Sequence, residues 1–417
     1  MKNNLKEIVG NEVLKTVVTS FDSTDLKLMP ELKFVKWKQP VVLHENGDIE
    51  LNVYFPHAKK VEIPCRTGGR IIDGKRVNDL KPFSDLGEGL TDTSPGEFIE
   101  MKNLGDGWFH TRILNATPGY YYMNYWVDGI ETIYDKGYIS YVLQGGTNIL
   151  DIPDHYDTSY LIKDVPHGSV REEFFYSDVT KHWRNCFVYT PPSYDKDTDK
   201  EYPIVFFQHG AGQNETSWFW EGKLNFIMDN LLAEGLAEEA ILVCNTGYSY
   251  TPEDYTKDEN NSIIPGRFWD MLVLDCIPFL KKRFRIKEGS ENMAVSGVSM
   301  GSLQAMLTAH RYPELFDYVG IFGMSAVVET MPTTFIQLNL PEWAYDIHKD
   351  IDKFNKTFKL VFFGMGESEF QFDEFKRQFA LGKERGMENI EIFTCPGDHE
   401  WRAVKVVARE FLKKIFK

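Results

Sequence analysis

A serine between two glycines, Gly297-Val298-Ser299-Met300-Gly301, is the pattern in this chain that most directly implies chemistry. A hydroxyl on a sharp strand-to-helix turn is a nucleophile held clear of its own backbone, and a Cβ at either glycine would collide with a neighbouring element. The flanking residues supply both elements. Met293 to Ser296 read as a short apolar strand, while Leu303, Met306 and Leu307 recur at helical spacing until Tyr312-Pro313 stops the run. Ser299 is the candidate nucleophile.

A serine hydroxyl attacks well only when an imidazole takes its proton, and the imidazole must itself be oriented by a carboxylate. In strand-helix hydrolases with this elbow the order along the chain is serine, acid, histidine. Of ten histidines, only His310, His348 and His399 follow Ser299. His310 lies in the helix leaving the elbow and points away from it, and His348 sits in the polar stretch Asp346-Ile-His-Lys-Asp350, where a solvated surface histidine is expected. His399, on the loop Cys395-Pro-Gly-Asp-His399 between an apolar strand and the terminal helix, is the candidate base. The acid belongs on the loop after Lys359-Leu-Val-Phe-Phe363, where Glu367 and Glu369 compete and Asp373 and Asp398 are weaker candidates. An oxyanion hole needs backbone N–H donors aimed at developing charge. The strand Tyr202 to Gln208 ends in His209-Gly-Ala-Gly212, which offers the N–H of Ala211; Met300 offers the other, and His209 is expected to brace the turn.

These groups need elements to hold them, and the chain has two kinds. From about Lys33 to Gly146, short β-type runs alternate with turns (Asp48 to Phe55, Lys60 to Ile63, Trp108 to Leu114, Tyr120 to Val127), which predicts an all-β sandwich. Asp128-Gly129 is a hairpin-type dipeptide. After the connecting stretch, apolar strands alternate with helical patterns: Tyr202 to Gln208, Lys223 to Leu232, Ala240 to Cys244, Phe268 to Phe284, and onward to Trp401 to Phe416. That alternation predicts a doubly wound, mostly parallel sheet, so the fold class is α/β preceded by an all-β immunoglobulin-like domain. The boundaries read as a β-sandwich over 1–150, a linker over 151–165 and a catalytic domain over 166–417.

Bulk properties narrow the partners. A formal charge of −16 on 417 residues, with scattered basic residues, argues against nucleic acid. No apolar run approaches the ~20 residues of a spanning helix, and Met1 to Gly10 carry charge where a signal peptide needs an apolar core. No membrane partner is expected. Five dispersed cysteines without C-x-x-C read as buried reduced thiols, which fits a cytoplasmic protein without a metal site.

Phe55-Pro-His-Ala-Lys-Lys-Val-Glu62, Gly107-Trp-Phe-His-Thr-Arg112 and Pro118-Gly-Tyr-Tyr-Tyr122 with Val127-Asp-Gly129 resemble the early-set sandwich modules that precede catalytic domains in glycogen-branching enzymes, isoamylases and bacterial feruloyl esterases. In some of those relatives the module contacts glycan. The second half, from His167-Gly-Ser-Val170 through Arg184 to Tyr194, the elbow, Tyr312-Pro-Glu-Leu-Phe316 and the histidine loop with Trp401, resembles the esterase D-like α/β-hydrolases of carbohydrate esterase family one. Feruloyl and acetylxylan esterases belong there, with enterochelin esterases and mycolyltransferases as relatives. In that family the acid stands in a G-x-x-D-F pattern, and Gly366-Glu-Ser-Glu-Phe370 aligns Glu369 with it, with glutamate in place of aspartate; Ser302 replaces a usual glycine.

The resemblance implies ester hydrolysis through an acyl-serine, without cofactor, on a feruloyl or acetyl ester of a saccharide or small phenol. An enterochelin-type esterase, an acyltransferase and a decayed, non-catalytic glycan-binding protein are the other readings. The loop Asn245 to Tyr250 and the insertion Thr251 to Arg267 are expected to line the pocket. Gly212, Trp218, Tyr248 and Trp401 are the candidate substrate contacts, because aromatic faces suit a phenolic acyl group or a sugar ring.

Overall fold

A computed structural model describes residues 38–64, 70–72, 75–77, 98–113, 119–134, 139–142, 145–153, 157–252, 266–325, 328–329 and 340–417. The N-terminal decapeptide, Cys65 and most of the expected pocket insertion, residues 253–265, lie outside them. The chain divides into two compact units at Lys163/Asp164.

The first unit is built from short antiparallel strands. One sheet orders Val41–Leu43, Ile49–Tyr54, Trp108–Ile113 and Lys102–Gly105; another orders Ile130–Thr132, Tyr125–Val127, Val61–Pro64 and Phe98–Glu100. Their inward residues alternate along each strand, so Ile49, Leu51, Val53, Val61, Ile63 and Phe109 close a common core. Tyr120 to Val127, read as one strand, is two. Gly119–Tyr122 pairs with Gly145–Ile152, whereas Tyr125–Val127 pairs with Val61–Pro64. Between them the Asn124 amide oxygen accepts from the Asn148 N–H at 3.0 Å and the Thr147 hydroxyl at 3.2 Å, satisfying the break in the ladder. Asp128 and Gly129, both at positive φ (51° and 86°), form the two-residue turn joining Val127 to Ile130. Gly145–Ile152 also runs into the stretch read as linker.

The second unit is an eight-stranded sheet. Its strands are β1 (Ser169–Ser177), β2 (His182–Thr190), β3 (Ile204–Gln208), β4 (Ile241–Asn245), β5 (Met293–Val298), β6 (Tyr318–Phe322), β7 (Leu360–Gly366) and β8 (Ile390–Cys395), in the spatial order β1-β2-β4-β3-β5-β6-β7-β8. From β4 to β8 every pairing is parallel; β1 and β2 are antiparallel to their neighbours. Strands β3 to β6 are buried along their whole length, as expected when helices cover both faces. The helices are α1 (Ser217–Trp220), α2 (Leu224–Ala233), α3 (Ile277–Arg283), α4 (Met300–Arg311), α5 (Ile351–Thr357), α6 (Phe372–Glu384) and α7 (Trp401–Leu412). Helix α3 continues from Phe268–Asp270 through a π-helical turn, Met271–Cys276. The loops leaving the carboxyl ends of β3, β4, β5, β7 and β8 carry all the residues expected to do chemistry, because parallel strands bring those ends to one edge. Among the described residues no helix is long and apolar enough to cross a membrane.

Candidate active site

Ser299 occupies the bend between β5 and α4 at φ 56°, ψ −121°, a backbone region non-glycine residues rarely enter. The bend is tight enough that a Cβ on Gly297 would come within 2.4 Å of the Gly301 backbone, and one on Gly301 within 2.4 Å of the Gln208 carbonyl. Both positions therefore need glycine. The Ser299 N–H donates to the Phe322 carbonyl at the end of β6 (2.9 Å), and the buried Ser302 hydroxyl donates to the Ser299 carbonyl (2.6 Å). These bonds hold the strained residue in place.

His399 lies on the loop between β8 and α7, and its Nδ1 is 2.7 Å from Oε2 of Glu369, on the turn after β7. Glu369 is buried, and its other oxygen accepts the Gly366 N–H at 3.2 Å. Glu367 faces away and accepts from the Thr394 hydroxyl (3.0 Å), while Asp398 accepts the His399 N–H (2.8 Å). Burial alone would lower the His399 pKa, but the charge and hydrogen bond of Glu369 outweigh it and leave the imidazole above its ordinary 6.5. With Nδ1–H committed to Glu369, Nε2 is the nitrogen left to take a proton. Gly323 connects this pair to the elbow. It follows Phe322, has φ +61°, and a Cβ there would lie 3.1 Å from the His399 ring and 3.4 Å from Glu369 Oε1. Sequence reasoning missed Gly323; the available signal was a glycine closing an apolar strand.

The loop after β3 is held by two polar ties to the loop after β4. His209 is buried; its Nε2 accepts the Gly247 N–H at 2.8 Å, so its proton sits on Nδ1, which donates to the Gly210 carbonyl at 2.8 Å. Burial pushes this histidine down to about 4, against the opposing bond to Gly210, so it stays neutral at pH 7 and braces the turn. The Gly212 N–H donates to the Tyr248 hydroxyl at 2.8 Å. Among the described residues the N–H groups of Ala211 and Met300 have no protein acceptor. Two unspent donors beside a serine bend can stabilise an oxyanion.

The structure redistributes the candidate substrate contacts. Trp218 is only 1% exposed, with its ring centroid 4.9 Å from that of Phe207 and 5.2 Å from that of Trp401, so it packs in the core. Trp401 is 3% exposed and donates its indole N–H to Glu221 at 2.6 Å. Both rings are buried. Gly212 and Tyr248 stay partly exposed, and their mutual hydrogen bond makes Tyr248 a brace for the loop after β3. His348 is not a surface residue. It is buried, with Nδ1 3.1 Å from the Val328 carbonyl and its ring 4.7 Å from that of His310. Among the described residues no group of three or more histidine, cysteine or carboxylate side chains is arranged to hold a metal ion.

A serine elbow after the fifth strand, a histidine after the eighth and an acid after the seventh, on a sheet of this order, define an α/β-hydrolase. Residues 177–403 match the family described as "Putative esterase", and the chain belongs to that esterase family. A curated relative, an endo-1,4-beta-xylanase/feruloyl esterase of Xylanibacter ruminicola, is 28% identical over 74% of this chain and 40% of its own length. The chain spans less than half the length of the curated relatives it matches. Among solved structures, a family-one ferulic acid esterase of Anaeromyces mucronatus in complex with ferulic acid is 22% identical, with a TM-score of 0.52 over 62% of this chain and 95% of that one. An enterobactin esterase of Shigella flexneri is 12% identical, with a TM-score of 0.52 over 88% of this chain and 92% of that one. These two likenesses describe the fold.

Proposed function

We propose that this protein is a serine carboxylic-ester hydrolase that releases a hydroxycinnamic acid of the ferulate type from a saccharide or small phenolic ester. The observation that carries the reading is the His399–Glu369 pair, 2.7 Å apart on the loops after β8 and β7, in an esterase-family chain whose serine elbow leaves β5. Ser299 Oγ attacks the ester carbonyl while His399 Nε2 takes its proton, and Glu369 stabilises the imidazolium. The tetrahedral oxyanion is received by the N–H groups of Ala211 and Met300. His399 then returns the proton to the leaving alkoxide, leaving an acyl-serine. Water attacks that ester with His399 again as base, releasing the acid and restoring the hydroxyl.

The ferulate preference is supported by the Xylanibacter relative, whose name joins xylanase and feruloyl esterase. Arg267 is engaged with Asp270 rather than presented to an anionic catecholate, which disfavours siderophore cleavage. A cytoplasmic setting and glycan contact through the first unit belong to the same reading; buried free thiols at Cys186, Cys244, Cys276 and Cys395 suit a reducing compartment. The test is a panel of methyl ferulate, acetylated xylo-oligosaccharide and enterobactin. Methyl ferulate is expected to give the highest kcat/KM. A tenfold preference for enterobactin would overturn the substrate assignment, and no turnover of any ester would overturn the reaction class.

A further inference from the structure

We propose that Glu221 is a positioning residue for this reaction: its buried carboxylate pins Trp401, and with it the His399 loop, to the segment that follows the oxyanion loop. The inference rests on the reading of His399 as general base.

Glu221 ends helix α1, its N–H donates to the Ser217 carbonyl at 2.9 Å, and it is 0% exposed. A carboxylate so placed is costly unless its oxygens are satisfied. One of them accepts the Trp401 indole N–H at 2.6 Å. The indole alone does not explain the acid. The neighbouring buried indole N–H of Trp218 has no partner among the described residues, so an indole N–H in this core does not require an acid to satisfy it. What the acid adds is direction, since a hydrogen bond to a fixed buried acceptor holds the ring's rotation as apolar packing alone does not.

Trp401 is where direction matters. It opens α7, two residues after His399, and Glu400 between them caps that helix by accepting the Arg402 N–H at 2.6 Å. The ring is enclosed on two further sides. A Cβ on Gly222 would come within 2.7 Å of Trp401 Cζ3, and Trp218 meets it edge-on with centroids 5.2 Å apart. The other limb of the histidine loop is tied to the acid loop, through Glu367 N–H to the Cys395 carbonyl (2.8 Å) and Ser368 N–H to the Gly397 carbonyl (2.9 Å). His399 therefore sits on a loop anchored at one end to its acid and at the other, through Glu221, to the chain segment that begins at the oxyanion loop.

Three variants separate positioning from packing. Trp401→Phe removes the N–H but also shrinks the ring, Glu221→Ala removes the acceptor, and Glu221→Gln keeps the size and an acceptor oxygen, so the contrast between the two Glu221 variants separates the hydrogen bond from packing. With p-nitrophenyl acetate, Trp401→Phe and Glu221→Ala are expected to lower kcat at least tenfold with KM within twofold. Glu221→Gln should keep at least a third of kcat, and the Glu221→Ala/Trp401→Phe double variant should fall no lower than the worse single one. If Trp401→Phe and Glu221→Ala lower the melting temperature but leave kcat within twofold, the pair is packing and the proposal is wrong. Ser299→Ala run alongside distinguishes the failures. An active enzyme sensitive to Ser299→Ala but indifferent to Trp401→Phe overturns the positioning role alone, while a wild-type chain without Ser299-dependent turnover overturns both readings.

Discussion

The position of one proton governs the residue scale. Burial would depress the His399 imidazole, yet the Glu369 carboxylate holds it above 6.5, so the base is half charged at a pH higher than a free histidine would be. Because only neutral imidazole accepts the serine proton, kcat/KM should fall with decreasing pH through a midpoint above 6.5. Glu369→Gln removes the charge and leaves the burial, so the midpoint should drop and kcat should fall by about 10² to 10⁴-fold, the scale of losing the orienting acid. A midpoint unmoved in that variant would contradict this assignment. The loops carrying Ser299, Glu369 and His399 are legible in the chain because each stands at the end of an apolar strand. Which glutamate meets the imidazole is not legible from pattern alone. Glu367 and Glu369 share one loop, and the turn closed by Glu369 N–H to the Gly366 carbonyl at 3.2 Å sends the second inward. The same limit explains Trp218 and Trp401: an aromatic beside a catalytic loop reads alike whether it faces a ligand or the core.

At the scale of elements, the loop after β3, proposed to receive the oxyanion, depends on its neighbour. Gly212 has φ +80°, and its N–H is held by the Tyr248 hydroxyl while His209 bridges to Gly247. Tyr248→Phe keeps the ring and deletes the acceptor, so Ala211 should lose alignment. Turnover of p-nitrophenyl acetate is expected to fall about tenfold, less than the ~10²- to 10³-fold cost of losing an oxyanion donor outright. Unchanged kcat with raised KM would instead make Tyr248 a substrate contact. The central parallel strands and their helices are legible because burial on both faces leaves unbroken apolar runs, as in Ile204–Gln208 and Tyr318–Phe322. The β1–β2 hairpin is not. Its outer strand carries Arg171, Glu172 and Glu173 ahead of exposed Phe174 and Tyr176, and β2 opens on exposed His182 and Trp183, so the start of neither strand reads as core.

The whole molecule carries a pH liability in its buried histidines. Burial pushes His209 to about 4 and His348 to about 4, and burial together with the nearby His348 pushes His310 to about 3. A group whose folded value lies below its unfolded 6.5 contributes stability in full above 6.5 and loses it as pH falls toward the folded value. Each histidine should therefore cost up to about 1.4 kcal/mol per pH unit below 6.5. Denaturant unfolding is expected to show stability dropping between pH 6.5 and 5, before most carboxylates titrate, and His348→Gln should flatten that slope; a flat profile in the parent protein would contradict the burial of these rings. At this scale the α/β class was readable from strand-helix alternation, while the split of Tyr120 to Val127 between two sheets was not, because pairing partners far along the chain decide it. The most direct measurement of the central claim is mass spectrometry of the protein inactivated by a fluorophosphonate. If Ser299 is the nucleophile and His399 its base, a single adduct forms on Ser299, at least a hundredfold more slowly in His399→Ala and not at all in Ser299→Ala; a modified residue elsewhere, or labelling of Ser299 at an unchanged rate without His399, would contradict these roles.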